Sequence, residues 1–81
     1  MDKEVLSTVT SIIAKALELP ADQVKEDDSI ETIEKWDSLG QLNILVALDE
    51  KFSGRVSKIA ELAKATSVRK IVEILQKHHV V

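Results

Sequence analysis

The sequence predicts an all-α domain: a small four-helix bundle with a short third helix and one long loop between the first two helices. Three observations predict it. Apolar residues recur at i, i+3, i+4, i+7 near both ends of the chain. No stretch alternates apolar and polar residues as a strand would. Pro20, Ser53-Gly54 and Thr66-Ser67 divide the chain where helices stop or start. With 81 residues, the chain is read as a single domain spanning 1–81.

The elements follow in order. Asp2 can cap a first helix whose apolar positions are Val5, Leu6, Val9, Ile12, Ile13, Ala16 and Leu17. That helix is expected to stop near Leu19, because Pro20 disfavours helical backbone in the residue before it. From Pro20 to Asp37 runs a charged connection too long for a turn, with Val24, Ile30 and Ile33 as apolar anchors that pin it across the bundle. Within it, Glu26-Asp27-Asp28 offers carboxylates to a weakly held divalent cation. A solvated acidic turn is the favoured reading there, since no Gly-punctuated calcium loop is present.

A second helix is predicted from Ser38 to Phe52, and it carries two apolar stripes. At about 100° per residue, Ile44, Leu45, Leu48 and Phe52 share one side, while Leu39, Leu42 and Val46 lie roughly opposite. The first set is taken as core. The second, flanked by Asn43, Asp49 and Glu50, reads as an exposed docking surface, or as a stripe covered by the long loop or the third helix. Ser53-Gly54 ends this helix. The third helix is expected over roughly Ser57 to Ala65, with Val56, Ile59, Leu62 and Ala63 available for packing. Thr66-Ser67 then caps the last helix, in which Val68, Ile71, Val72 and Leu75 repeat at helical spacing. Lys77, His78 and His79 fall in its last turn, where cations complement the helix dipole.

Charge is unevenly placed. The chain carries a net −3, but residues 18–37 hold eight acids against two bases, while residues 38–81 hold four acids against seven bases. An acidic loop before Ser38 disfavours nucleic acid there and favours a basic partner. No cysteine is present, which excludes disulfides, thiolate zinc sites and a cysteine nucleophile. Any thiol chemistry must be imported. The start Met1-Asp2-Lys3-Glu4 lacks the pattern of a secretory signal, and no apolar run approaches a membrane span. A soluble cytoplasmic monomer beginning at its own Met is therefore expected.

Catalysis by the chain itself finds little support. Ser38, Asp37 and His78 can be drawn as a triad, but His78 lies at a terminus and no glycine-rich elbow surrounds Ser38. Adjacent His78 and His79 point about 100° apart on a helix, a poor arrangement for a metal. The chain is read as a non-enzyme without a metal site.

Ser38 itself is the candidate site. Ser38-Leu39-Gly40-Gln41 has the S-x-x-Q spacing of a capping box, which makes Ser38 the expected N-cap of the second helix. A phosphate attached there would lie in the favourable field of a helix N-terminus. Asp37-Ser38-Leu39, with the acidic loop before it and the apolar helix Leu39 to Phe52 after it, resembles the acyl carrier protein family. The resemblance runs from the first helix to the last. The tripeptide alone is common, and its place in a short four-helix pattern is what gives the match its specificity.

The resemblance implies that Ser38 carries a 4'-phosphopantetheine arm, transferred from coenzyme A by a phosphopantetheinyl transferase. The arm would supply the missing thiol and hold acyl groups as thioesters. Partner ligases, synthases and acyltransferases of fatty-acid, polyketide or cell-envelope lipid synthesis would then act on them. Recognition is expected at Asp37, Leu39, Leu42, Val46, Asp49 and Glu50. Leu45, Leu48, Phe52, Ile59, Leu62 and Ile71 form the expected lining for a sheltered acyl chain.

The chain also departs from the family. Gly40, Gln41 and Asn43 stand early in a helix that is strongly acidic in fatty-acid carriers, so recognition should lean on Leu39, Leu42 and Val46. This favours a specialised carrier over a housekeeping one. A carrier of aminoacyl groups, such as the D-alanyl type, fits the same motif, and an arm-less helical interaction module is the alternative from another class. Gly40 costs about 1 kcal/mol relative to Ala in a helix, which marks either close approach of a partner or of the arm, or a tolerated defect. Trp36 either anchors the loop end on the core or packs over the arm's base.

Overall fold

A computed structural model describes residues 2–81. It is all-helical, with three α-helices: α1 (Lys3–Ala16), α2 (Ser38–Lys51) and α3 (Val68–Lys77). Short 3-10 segments at Ala21–Gln23 and Ala60–Lys64 lie in the connections. No named strand occurs among the described residues, although Ser29 and Ser67 form an isolated antiparallel bridge.

The expected third helix is the main difference from the sequence reading. In its place stands the five-residue 3-10 segment Ala60–Lys64, preceded by extended backbone at Ile59. The reason lies in the spacing of what is buried. Val56, Ile59, Leu62 and Ala65 are all buried and recur every third residue, the period of a 3-10 turn, whereas an α-helix would rotate this row off the core. Ala63, expected to pack inward, is exposed.

Each α-helix begins on an acid or hydroxyl cap and ends on a left-handed residue that is not glycine. Asp2 accepts from the N–H groups of Glu4 and Val5 at the start of α1, and Ser67 accepts from Lys70 N–H at the start of α3. At the ends, Glu18, Ser53 and His79 take φ values of 59°, 57° and 57°. The N–H of Leu19 then donates to Ala14 O, that of Gly54 to Asp49 O and that of Val80 to Leu75 O, satisfying carbonyls the helices leave open. So α1 closes at Ala16, short of the expected Leu19.

The core is one cluster. Val9 and Ile13 of α1, Ile44 and Leu48 of α2, Leu62 of the 3-10 segment, and Val68, Ile71 and Leu75 of α3 are all essentially inaccessible. Leu45 and Phe52, assigned to the core stripe of α2, are only half-buried at its edge. The long connection is pinned, but differently from expectation. Val24 and Trp36 are buried and Ile33 is half-buried, whereas Ile30 is 39% exposed. Backbone does what Ile30 does not: Ile30 N–H donates to Thr66 O, and Val68 N–H donates to Asp28 O. The loop therefore lies along the start of α3.

Candidate functional site

The loop delivers its last residues to the start of α2 through Trp36 and Asp37. Trp36 is 1% exposed, and its indole Nε1–H donates to the Gln41 side-chain Oε1 at 2.6 Å. Trp36 is thus the anchor of the loop end. Asp37 is extended, and its Oδ1 accepts from Gly40 N–H at 2.8 Å.

The N-cap of α2 is accordingly Asp37, and Ser38 is the first residue inside the helix. The capping box expected of Ser38 and Gln41 does not form. Asp outcompetes Ser for the cap one residue earlier, and Gln41 turns inward to the indole instead. The displacement frees Ser38. Its side chain is exposed, and among the described residues no hydrogen bond engages its hydroxyl. Nothing accepts from the N–H groups of Ser38 and Leu39 either, so two donors at the positive end of the helix dipole face outward beside the hydroxyl. This corner fits a phosphodiester on Ser38: an exposed hydroxyl beside donors that no group of the chain engages.

Gly40 is explained by the same corner. A Cβ added there would collide with the backbone carbonyl oxygen of Lys35 and lie 2.8 Å from Leu17 Cδ2. The close approach is therefore within the chain, where the loop end and the end of α1 press on α2, and the glycine is neither a partner contact nor a tolerated defect. Neither neighbour was legible from the residues around Gly40.

Beyond Ser38, the outward side of α2 presents Leu39, Leu42 and Val46, exposed by 66%, 56% and 50%. With Glu50 they form a strip at i, i+3, i+7 and i+11, open along its length. The two other expected recognition residues are partly committed elsewhere. Asp37 caps α2, and Asp49 Oδ1 accepts from Ser57 N–H at 2.8 Å.

An apolar groove of about 330 Å³ lies beside this strip, between α2 and the second 3-10 segment, lined by Leu45, Val46, Val56, Ile59, Leu62 and Ala63. Of the residues expected to line a sheltered chain, Leu45, Ile59 and Leu62 do so. Leu48 and Ile71 are sealed in the core, and Phe52 packs at its edge, away from the groove. Counted along α2, Ser38, Leu42, Leu45 and Asp49 share one edge; of these, Leu45 and Asp49 line the groove, two turns beyond Ser38.

A few of the other charged groups are paired. In the acidic loop, Glu26 pairs with Arg69 at 3.3 Å, and Asp28 accepts from Lys25 N–H and the Thr32 hydroxyl, each at 2.8 Å. Among the described residues no group of three or more acids or histidines is placed to hold a metal. His78 sits at the far end of α3, where its Nε2 lies 2.8 Å from Glu61 Oε1. Lys77 Nζ is 3.4 Å from the other Glu61 oxygen. The bond to His78 holds the Glu61 carboxyl below its ordinary value; desolvation opposes it, and the charge and hydrogen bond of Lys77 add smaller contributions in the same direction as His78. No described helix is long and apolar enough to cross a membrane.

No family model, curated protein or solved structure matches the chain.

Proposed function

We propose that this protein is an acyl carrier whose Ser38 accepts a 4'-phosphopantetheine arm from coenzyme A. The observation that carries the reading is the state of Ser38: exposed, just inside a helix N-terminus, its hydroxyl free because Asp37 does the capping. When attached, the arm supplies a thiol that holds acyl groups as thioesters. The chain's own residues do the rest. The N–H groups of Ser38 and Leu39 face the phosphate position, Asp37 fixes the first turn of the helix, and the acidic loop offers charge to a basic transferase.

Partner enzymes, namely acyl-carrier ligases, synthases and acyltransferases, dock on Leu39, Leu42, Val46 and Glu50, with Asp37 and Asp49 at the margins. An exposed apolar strip so close to the attachment site supports recognition through hydrophobic contact more than through charge, and hence a specialised carrier. Tethering raises the effective concentration of the cargo at whichever enzyme is docked. The groove, whose α2 wall begins at Leu45 two turns beyond Ser38, suits the apolar part of a short cargo. A monomer in the cytoplasm, where coenzyme A and the transferase meet it, completes the proposal.

The test is intact mass after incubation with coenzyme A, magnesium and a broad-specificity phosphopantetheinyl transferase, with Ser38→Ala alongside. The native chain is expected to gain one phosphopantetheine and the variant none. No gain in the native chain, with the transferase active on a control carrier, would leave the arm-less interaction module as the better reading.

A further inference from the structure

Gln41 is the one buried polar side chain of the core among the described residues, at 8% exposure. Its amide makes three hydrogen bonds to two distant parts of the chain. Oε1 accepts from Trp36 Nε1–H at 2.6 Å, and Nε2 donates to Leu62 O at 3.3 Å and to Ala65 O at 3.0 Å. One side of the amide thus holds the loop end that leads into Ser38. The other holds the 3-10 segment whose Leu62 and Ala63 wall the groove.

That segment has no α-helical ladder to stiffen it. It is five residues long, and both its entry at Ile59 and its exit at Ala65 are extended. The Leu62 carbonyl that fixes one side of the Gln41 amide belongs to a residue of the groove wall. The amide cannot follow that carbonyl without changing the bond to the indole, since both of its ends are engaged. The backbone N–H of Trp36 is held by Ile33 O, and its chain neighbour Asp37 caps α2, so the indole is tied directly to the Ser38 corner.

We propose that Gln41 joins the groove wall to the Ser38 corner, so that an apolar group entering the groove is registered at Trp36 and Asp37. The warrant is physical: buried, directional hydrogen bonds join the 3-10 segment to Trp36, and the backbone joins Trp36 to Asp37. Its meaning for function rests on the carrier reading. A partner reading the Asp37 and Leu39 surface would then distinguish a carrier with its groove filled from one with it empty.

The unmodified full-length chain tests this by NMR. Ala63→Leu, at an exposed position, fills the groove from its rim. In the native background the Trp36 indole N–H and the Gln41 side-chain amide resonances are expected to shift together. In a Gln41→Leu background the indole response to Ala63→Leu is expected to fall by at least half. Gln41→Met, close in size but without acceptor or donors, is expected to lose the response too. An indole shift of equal size in the Gln41 variants would overturn the proposal, as would an indole shift in the native background with the Gln41 amide unmoved, or no shift of either. If the Gln41 variants do not fold, the native-background comparison decides alone. No sample carries an arm, so the outcome is independent of the mass test on Ser38.

Discussion

Gly40 and Lys35 stand so close that no side chain fits between them: a Cβ on Gly40 would collide with the Lys35 carbonyl oxygen, with Leu17 Cδ2 only 2.8 Å away on another side. This approach brings the loop end against the first turn of α2 and so fixes where Ser38 emerges. Gly40→Ala should gain about 1 kcal/mol of helix propensity but lose about 1–3 kcal/mol to overpacking against backbone that cannot rotate away. A net destabilisation in urea unfolding is expected. A more stable Gly40→Ala chain would mean that the loop end is looser than described.

The assignment of the cap separates Asp37 from Ser38. Asp37→Ala should cost about 1 kcal/mol, because Gly40 N–H loses its acceptor. Ser38→Ala should change stability by less than about 0.5 kcal/mol, as exposed substitutions away from such features do. Thermal unfolding of the two variants checks this, and the reverse order would restore Ser38 as the cap.

What the sequence made legible follows from which forces are local. The α1 and α3 patterns, Asp2 as a cap and the exposed stripe Leu39, Leu42 and Val46 were readable because periodicity and short-range capping are written in consecutive residues. The cap of α2 was misread because Asp37 and Ser38 compete for one role, and only the backbone turn decides between them. The segment around Ile59 was misread because Val56, Ile59 and Leu62 satisfy a period of 3 as well as the i, i+3 steps of an α-helix. Gln41 showed polarity in the sequence but not its partners, which lie 21 and 24 residues away at Leu62 and Ala65. The helix ends at Glu18 and His79 carry no glycine to announce a left-handed residue, whereas Gly54 beside Ser53 marked the end of α2.

Trp36 and Gln41 should also be coupled in stability. Trp36→Phe removes the indole donor and leaves Gln41 Oε1 buried without a partner, a cost of about 1–3 kcal/mol on top of any cavity. Adding Gln41→Met removes the stranded acceptor, so the double variant should lose less than the two single variants together. Urea unfolding of the full cycle measures it, and strict additivity would show that the bond carries nothing.

Acid stability should depend on Glu61. Its carboxyl is held below the ordinary value of 4.5, first by the hydrogen bond from His78. A depressed carboxyl contributes stability that is present above the unfolded value and is lost as pH falls through the folded one. Glu61→Gln should therefore lower Tm at neutral pH, and the difference from the native chain should close as pH drops below about 4.5. A difference that persists unchanged in acid would assign the effect to packing.

Docking gives the last prediction, and it sets binding against folding. Leu42 is 56% exposed and lies outside the buried cluster. Leu42→Ser should thus leave the unfolding free energy within about 0.5 kcal/mol of the native chain. If the outward strip of α2 is what a transferase grips, the same change removes an apolar anchor near the reacting hydroxyl. It should then lower kcat/KM for arm transfer by about tenfold, the equivalent of roughly 1.4 kcal/mol of contact. Glu50→Gln, at the far end of the strip, should lower it less, because a rim charge acts mainly on encounter and is screened by salt. Steady-state kinetics of both variants at low and high salt separate the two contributions. Unchanged kinetics for Leu42→Ser would move recognition to the acidic loop before Ser38, where salt should then slow transfer to the native chain steeply.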